Sequence, residues 1–99
     1  MTTVSVLLTL HIPSALSLKD KRAVVRSLVE RLRKRLDLSA AEVGLQEDTR
    51  RAQIGFAVVS ETPSMARELA DRALRFAEQE LIGRAEIINT ATEEHVLRG

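Results

Sequence analysis

Two histidines, fourteen acidic and fifteen basic side chains, and no cysteine are the reactive groups of this 99-residue chain. Without cysteine there is no thiolate nucleophile, no disulfide and no Cys-based zinc site. His11 and His95 fall on different predicted elements. No His, Asp and Glu cluster has metal-ligand spacing, and no glycine-rich phosphate loop or nucleophile motif is present. Adjacent carboxylates occur only as Glu47–Asp48 and Glu93–Glu94, in polar turn or tail contexts. The sequence therefore predicts a protein that does no chemistry and needs no metal and no cofactor.

The cations are less evenly spread. Ser17 to Leu36 (SLKDKRAVVRSLVERLRKRL) holds eight basic residues and two acids, a charge of +6; the seven basic and twelve acidic residues elsewhere sum to −5. Net charge near zero argues against a protein basic all over, so the asymmetry carries the information. Lys34 and Arg35, in the last turn of the predicted helix, suit the helix dipole. Lys19, Lys21 and Arg22 stand at its start, where the dipole disfavours cations by roughly 0.3–1 kcal/mol each and Asp20 offsets only part. Exposed N–H groups with three cations are suited to an anion. The candidate RNA- or anion-binding residues are therefore Ser17, Lys19, Lys21, Arg22, Arg26 and Arg33.

Several elements must position these groups. Thr3 to Ile12 alternates as a strand, with Val4, Val6, Leu8, Leu10 and Ile12 on one face and Thr3, Ser5, Leu7, Thr9 and His11 on the other. Pro13 ends it. Ser17 is an N-cap candidate, and Leu18, Val25, Leu28, Val29, Leu32 and Leu36 form the apolar stripe of an amphipathic helix. Ala40 to Glu47 reads as a weaker strand with Val43 and Leu45 inward, Glu47 to Arg50 as a hairpin turn, and Arg51 to Ser60 as a third strand with Ile54, Phe56 and Val58 inward. Thr62 caps a second helix with Pro63 at its first position; Met65, Leu69, Ala73, Phe76 and Ala77 are its expected inner face. Glu68–Arg72 and Asp71–Arg75 are spaced as ion pairs on its outer face. Gly83 ends this helix, Arg84 to Ala91 forms a fourth strand, and a loose polar tail follows from about residue 92.

The order βαββαβ predicts one α+β domain over residues 1–99 with a ferredoxin-like fold: a four-stranded antiparallel sheet with two helices on one face. RNA readers of this architecture stack bases on sheet aromatics. Here the outward positions, Ser5, Leu7, Thr9, His11, Gln53, Gly55, Ala57 and Val59, offer no Tyr, Trp or Phe. Any RNA would be held by its phosphates through the basic helix. Leu7, Ala57 and Val59, with one of Ile87 or Ile88, leave an apolar stripe on the open face, a candidate homodimer interface. No apolar run approaches the roughly 20 residues of a membrane helix, and no signal-peptide pattern opens the chain, so no membrane association and a cytoplasmic location are expected.

The run Ser17-Leu18-Lys19-Asp20-Lys21-Arg22 leading into a Val/Leu-rich basic helix resembles the YlxP-like family of small bacterial proteins. The similarity extends through the preceding strand with Pro13, the hairpin around Gln46 and Asp48, the GFAVVS strand and the second helix. The chain departs from the family pattern at Thr49, where relatives often carry an aromatic. The resemblance implies a ferredoxin-like fold. Because relatives tend to be encoded beside translation and ribosome-maturation genes, it also implies association with the ribosome or structured ribosomal RNA. A homodimeric interaction or regulatory module is the alternative that the residues leave open.

Overall fold

A computed structural model describes residues 1–99. The elements are β1 (Thr2–His11), α1 (Leu18–Leu36), β2 (Ser39–Gly44), β3 (Arg51–Ser60), α2 (Pro63–Leu81) and β4 (Glu86–Val96). The sheet order is β2-β3-β1-β4 and every neighbouring pair is antiparallel. This is the expected ferredoxin-like arrangement, with β3 and β1 central. The alternation in β1 and β3 drives it: Val4, Val6, Leu8, Leu10, Ile54, Phe56 and Val58 are all buried beneath the helices. A one-residue slip would turn this set to solvent, so the register is fixed.

Both helices start where side-chain caps allow. Ser17 Oγ accepts from the Asp20 N–H at 3.2 Å, and the Asp20 carboxylate turns back to accept from Leu16 N–H at 3.0 Å. Thr62 Oγ1 accepts from Met65 N–H at 3.3 Å, with Pro63 following it in the first turn. Gly83, at φ 78°, takes the left-handed position after α2. On α2 the buried residues are Ala66, Ala70, Ala73, Ala77 and Leu81, so the helix approaches the sheet closely through a row of small side chains.

Four expectations need correction. The chain does not loosen at residue 92: β4 continues to Val96, pairing Thr92, Glu94 and Val96 with Val6, Val4 and Thr2. The Met1 N–H group also donates to the Leu97 carbonyl. The polar composition that suggested a tail reflects an edge strand that α2 covers only in part. Met65 is not on the inner face of α2 but 49% exposed, because the apolar stripe runs through Ala66 instead. Val43 does not point inward. A register shift between Glu42 and Gly44 marks a bulge, and Val43 is 53% exposed with its methyls against Gly55 on the open face. Glu68 and Arg72 do pair, at 3.8 Å, whereas Asp71 and Arg75 form no ion pair.

Candidate anion-binding face

The first turns of α1 separate two kinds of cation. Buried residues on α1 fall at 21, 25, 28, 29 and 32, a helical stripe whose first member is Lys21. Lys21 is wholly buried and its ammonium faces the β2–β3 connection. Nζ donates to the carbonyls of Leu45 at 2.7 Å, Gln46 at 3.0 Å and Arg51 at 3.4 Å. An ammonium has three protons, and the three carbonyls use them all. The Glu42 carboxylate, 3.5 Å away, therefore acts by charge alone, and its buried Oε2 has no hydrogen bond. Lys21 is thus not an anion-binding residue, contrary to the sequence expectation. It fastens the hairpin to the helix. The spacing to Val25 and Leu28 carried the signal, but a lysine on an apolar stripe reads first as a snorkelling edge residue.

The remaining candidates lie on the surface. Lys19, Arg22, Arg26 and Arg33 are exposed, and at 100° per residue their positions fall within about 60° of arc. Lys19, Arg22 and Arg26 have no carboxylate within ion-pair distance. Arg22, Arg26 and Arg33 line a groove between α1 and the edge strand β2, together with Val25, Val29 and Glu42. Arg33 donates Nε–H to the Ala40 carbonyl at 2.8 Å, which fixes its guanidinium at the β2 edge. Arg31, by contrast, is paired with Glu80 on α2. At the helix start, Ser17 is occupied as a cap, and Asp20 already places negative charge there. The conflict with the dipole is therefore smaller than the sequence suggested, confined to Lys19 and Arg22.

One cation at this end escaped sequence reasoning. Arg50, in the hairpin, donates Nε–H to the Ala15 carbonyl at 3.2 Å and so lies beside the segment that enters α1. Its neighbour Asp48 accepts from the Arg50 and Arg51 N–H groups at 2.9 and 2.8 Å and from Arg51 Nε. These bonds, the Arg50 N–H first, hold the Asp48 carboxyl below the usual range for an aspartate. Nothing in local sequence places Arg50 near α1; the long-range attachment through Lys21 does.

The open sheet face has a different character. Registers place Ala41, Gly55, Leu7 and Ala91 in one row across the four strands, and Ser39, Ala57, Ser5 and Glu93 in the next. Val59, 59% exposed, lies two residues beyond Ala57 on the same face. Ile87 packs against the core and Ile88, at the bulge of β4, is exposed. Phe56 is buried, so neither central strand presents an aromatic for base stacking. No group of three or more His, Cys, Asp or Glu side chains is gathered in a way that could hold a metal. No helix is long and apolar enough to cross a membrane.

Fold and motif together define a family. The family model described as "Protein of unknown function (DUF503)" matches residues 3–92, and the chain belongs to that family. It is 33% identical over 60 residues to the uncharacterized protein YlxP of Bacillus subtilis, a match covering 61% of this chain and 65% of that relative. Among solved structures, the fold is similar to that of protein YJCS, with TM-score 0.64, 13% identity and 92% and 96% of the two chains covered. It is similar to SnoaB, a cofactor-independent oxygenase from Streptomyces nogalater, with TM-score 0.58, 9% identity and 100% and 96% covered. It is also similar to a dimeric ferredoxin-like protein from an uncultured marine organism, with TM-score 0.55, 12% identity and full coverage of both chains. These likenesses establish the shared fold.

Proposed function

We propose that the chain is a non-enzymatic binding protein for structured RNA, ribosomal RNA in particular, which it contacts through phosphates. One observation carries the reading: Lys19, Arg22, Arg26 and Arg33 share one face of α1, and the first three have no carboxylate partner. A row of cations on one helix can contact several phosphates of a backbone at once, which a small anion cannot offer. The bare sheet offers no stacking platform, so affinity would come from counterion release. Fluorescence anisotropy with a structured ribosomal RNA fragment tests this. With about three phosphates neutralised, by Lys19, Arg22 and Arg26, log K falls against log salt with a slope of about −2 to −3. Salt-independent affinity, or binding unchanged by Lys19→Glu with Arg22→Glu, would overturn it.

A second reading rests on the other face. Leu7, Ala57 and Val59 lie in successive rows of the open sheet face, and a structural neighbour of full coverage is a dimer. We infer a homodimer formed through that face, compatible with RNA held by Lys19, Arg22 and Arg26 on the opposite layer. Light scattering at micromolar concentration tests it, with Val59→Asp expected to give monomer.

A further inference from the structure

The geometry points to one arrangement for that homodimer: a two-fold axis parallel to the strands, seating Leu7 of each copy on Gly55 of the other. This inference rests on the open-face reading above and adds the axis, the central contact and the charge pairs. The central row, Ala41–Gly55–Leu7–Ala91, has one large side chain beside a residue with none. An open trough of about 530 Å3 lies over this row and the next, floored by Gly55, Ala41, Ala57 and Ala91. Val43 closes one side of the space above Gly55, since a Cβ there would come within 3.3 Å of its Cγ1.

Two in-plane axes could relate two such sheets. An axis perpendicular to the strands lays each strand on its own copy. Leu7 then meets Leu7, leaving Gly55 facing Gly55, and Glu93, two residues along β4 from that row, falls opposite Asn89 of the other copy rather than opposite a cation. An axis parallel to the strands lays β3 on the partner's β1 and β2 on the partner's β4. Leu7 then enters the space over Gly55 twice, as an isologous contact requires.

Charge selects the same axis. Arg33 reaches the trough from the β2 side and Glu93 from the β4 side, and neither has an ion-pair partner within the chain. The parallel axis brings each Arg33 toward the partner's Glu93. Strands of 10, 6, 10 and 11 residues span roughly 600 Å2 in projection at standard strand spacing. With surface relief and rim side chains, that approaches the roughly 800 Å2 per partner of a standard interface.

Sedimentation velocity on the full chain, from about one to one hundred micromolar, tests the arrangement without RNA. Arg33→Glu and Glu93→Arg are each expected to weaken the dimer about tenfold, and the double variant to recover to within about threefold of the parent. Both positions are exposed, and Arg33→Glu gives up one hydrogen bond, to the Ala40 carbonyl, so circular dichroism is expected to show the parent fold for each; Gly55→Leu, which fills the receiving space, gives monomer by an independent route. A dimer broken by Val59→Asp but indifferent to the charge reversals, or weakened further in the double variant, would overturn this axis while leaving the open-face dimer standing. A chain monomeric at one hundred micromolar would overturn both.

Discussion

The ammonium of Lys21 lies 2.7 Å from the carbonyl oxygen of Leu45, a residue held in the left-handed region at φ 58°. A leucine there costs roughly 1–2 kcal/mol, and the lysine collects the carbonyls that this turn leaves pointing inward. The second lysine of the Ser-Leu-Lys-Asp-Lys-Arg run is therefore a structural fastener. Lys21→Met, which keeps the stem and removes the donors, is expected to destabilise by about 3 kcal/mol, because three carbonyls and the Glu42 charge lose their partner. Urea unfolding followed by circular dichroism measures it. A loss under about 1 kcal/mol would show that the carbonyls find water instead.

Arg50 lies beside the entry to α1 through its bond to the Ala15 carbonyl, although sequence distance hides it. In the RNA assay, Arg50→Gln should lower affinity severalfold and make the salt slope shallower by up to about one. An unchanged slope would place Arg50 outside the phosphate track.

Deleting residues 92–99 removes the half of β4 that pairs with Thr2 to Val6 and the Glu94 carboxylate that receives Arg67 through two bonds of 2.6 and 2.8 Å. The truncated chain is expected to lose stability on the order of 3 kcal/mol, the sum of several main-chain bonds. Removal of a loose tail would cost nothing, so the urea midpoint distinguishes the two.

Acid stability follows from Asp48 and Glu94. Hydrogen bonds from the Arg50 and Arg51 N–H groups lower the Asp48 pKa, and the Arg67 side chain lowers that of Glu94. With folded values below unfolded ones near 4, the unfolded chain binds more protons as pH falls. Their contribution is complete above about pH 5 and is lost as pH falls through the depressed folded values. Asp48→Asn should therefore be less stable than the parent at pH 7, with the gap closing toward pH 2. A gap constant with pH would mean that charge plays no part.

Two left-handed residues give opposite predictions. At Gly83 an added Cβ would meet nothing within 4 Å, so Gly83→Ala tests backbone strain alone and should cost about 1 kcal/mol. Asp37, at φ 52°, ends α1 as an exposed carboxylate beside the negative end of the helix. Asp37→Gly should raise stability by about 0.5–1 kcal/mol. Thermal melts of both variants check the signs.

Period and punctuation make most of this fold legible. The alternation in β1 and β3, the Ser17 and Thr62 caps and Gly83 each act within a few residues, and sequence displays such effects directly. What stays hidden is set by distant partners. Residues 92–96 are polar because they lie at an edge, and only β1 makes them a strand. Val43 is turned outward by a bulge that no residue type announces. Of the candidate site, Lys19, Arg22, Arg26 and Arg33 are readable as one helix face. Lys21 is not, because its partners are main-chain carbonyls more than twenty positions away, and a carbonyl leaves no mark in a residue alphabet.

The alanine row of α2 has an implication for how such a chain can vary. Ala66, Ala70, Ala73 and Ala77 bring that helix so near the strands that an added methylene has nowhere to go without lifting the whole layer. Divergence along α2 is thereby confined to its solvent side, at positions such as Glu68, Arg72 and Arg75. New recognition surfaces can be painted there freely, while the spacing between the layers stays fixed.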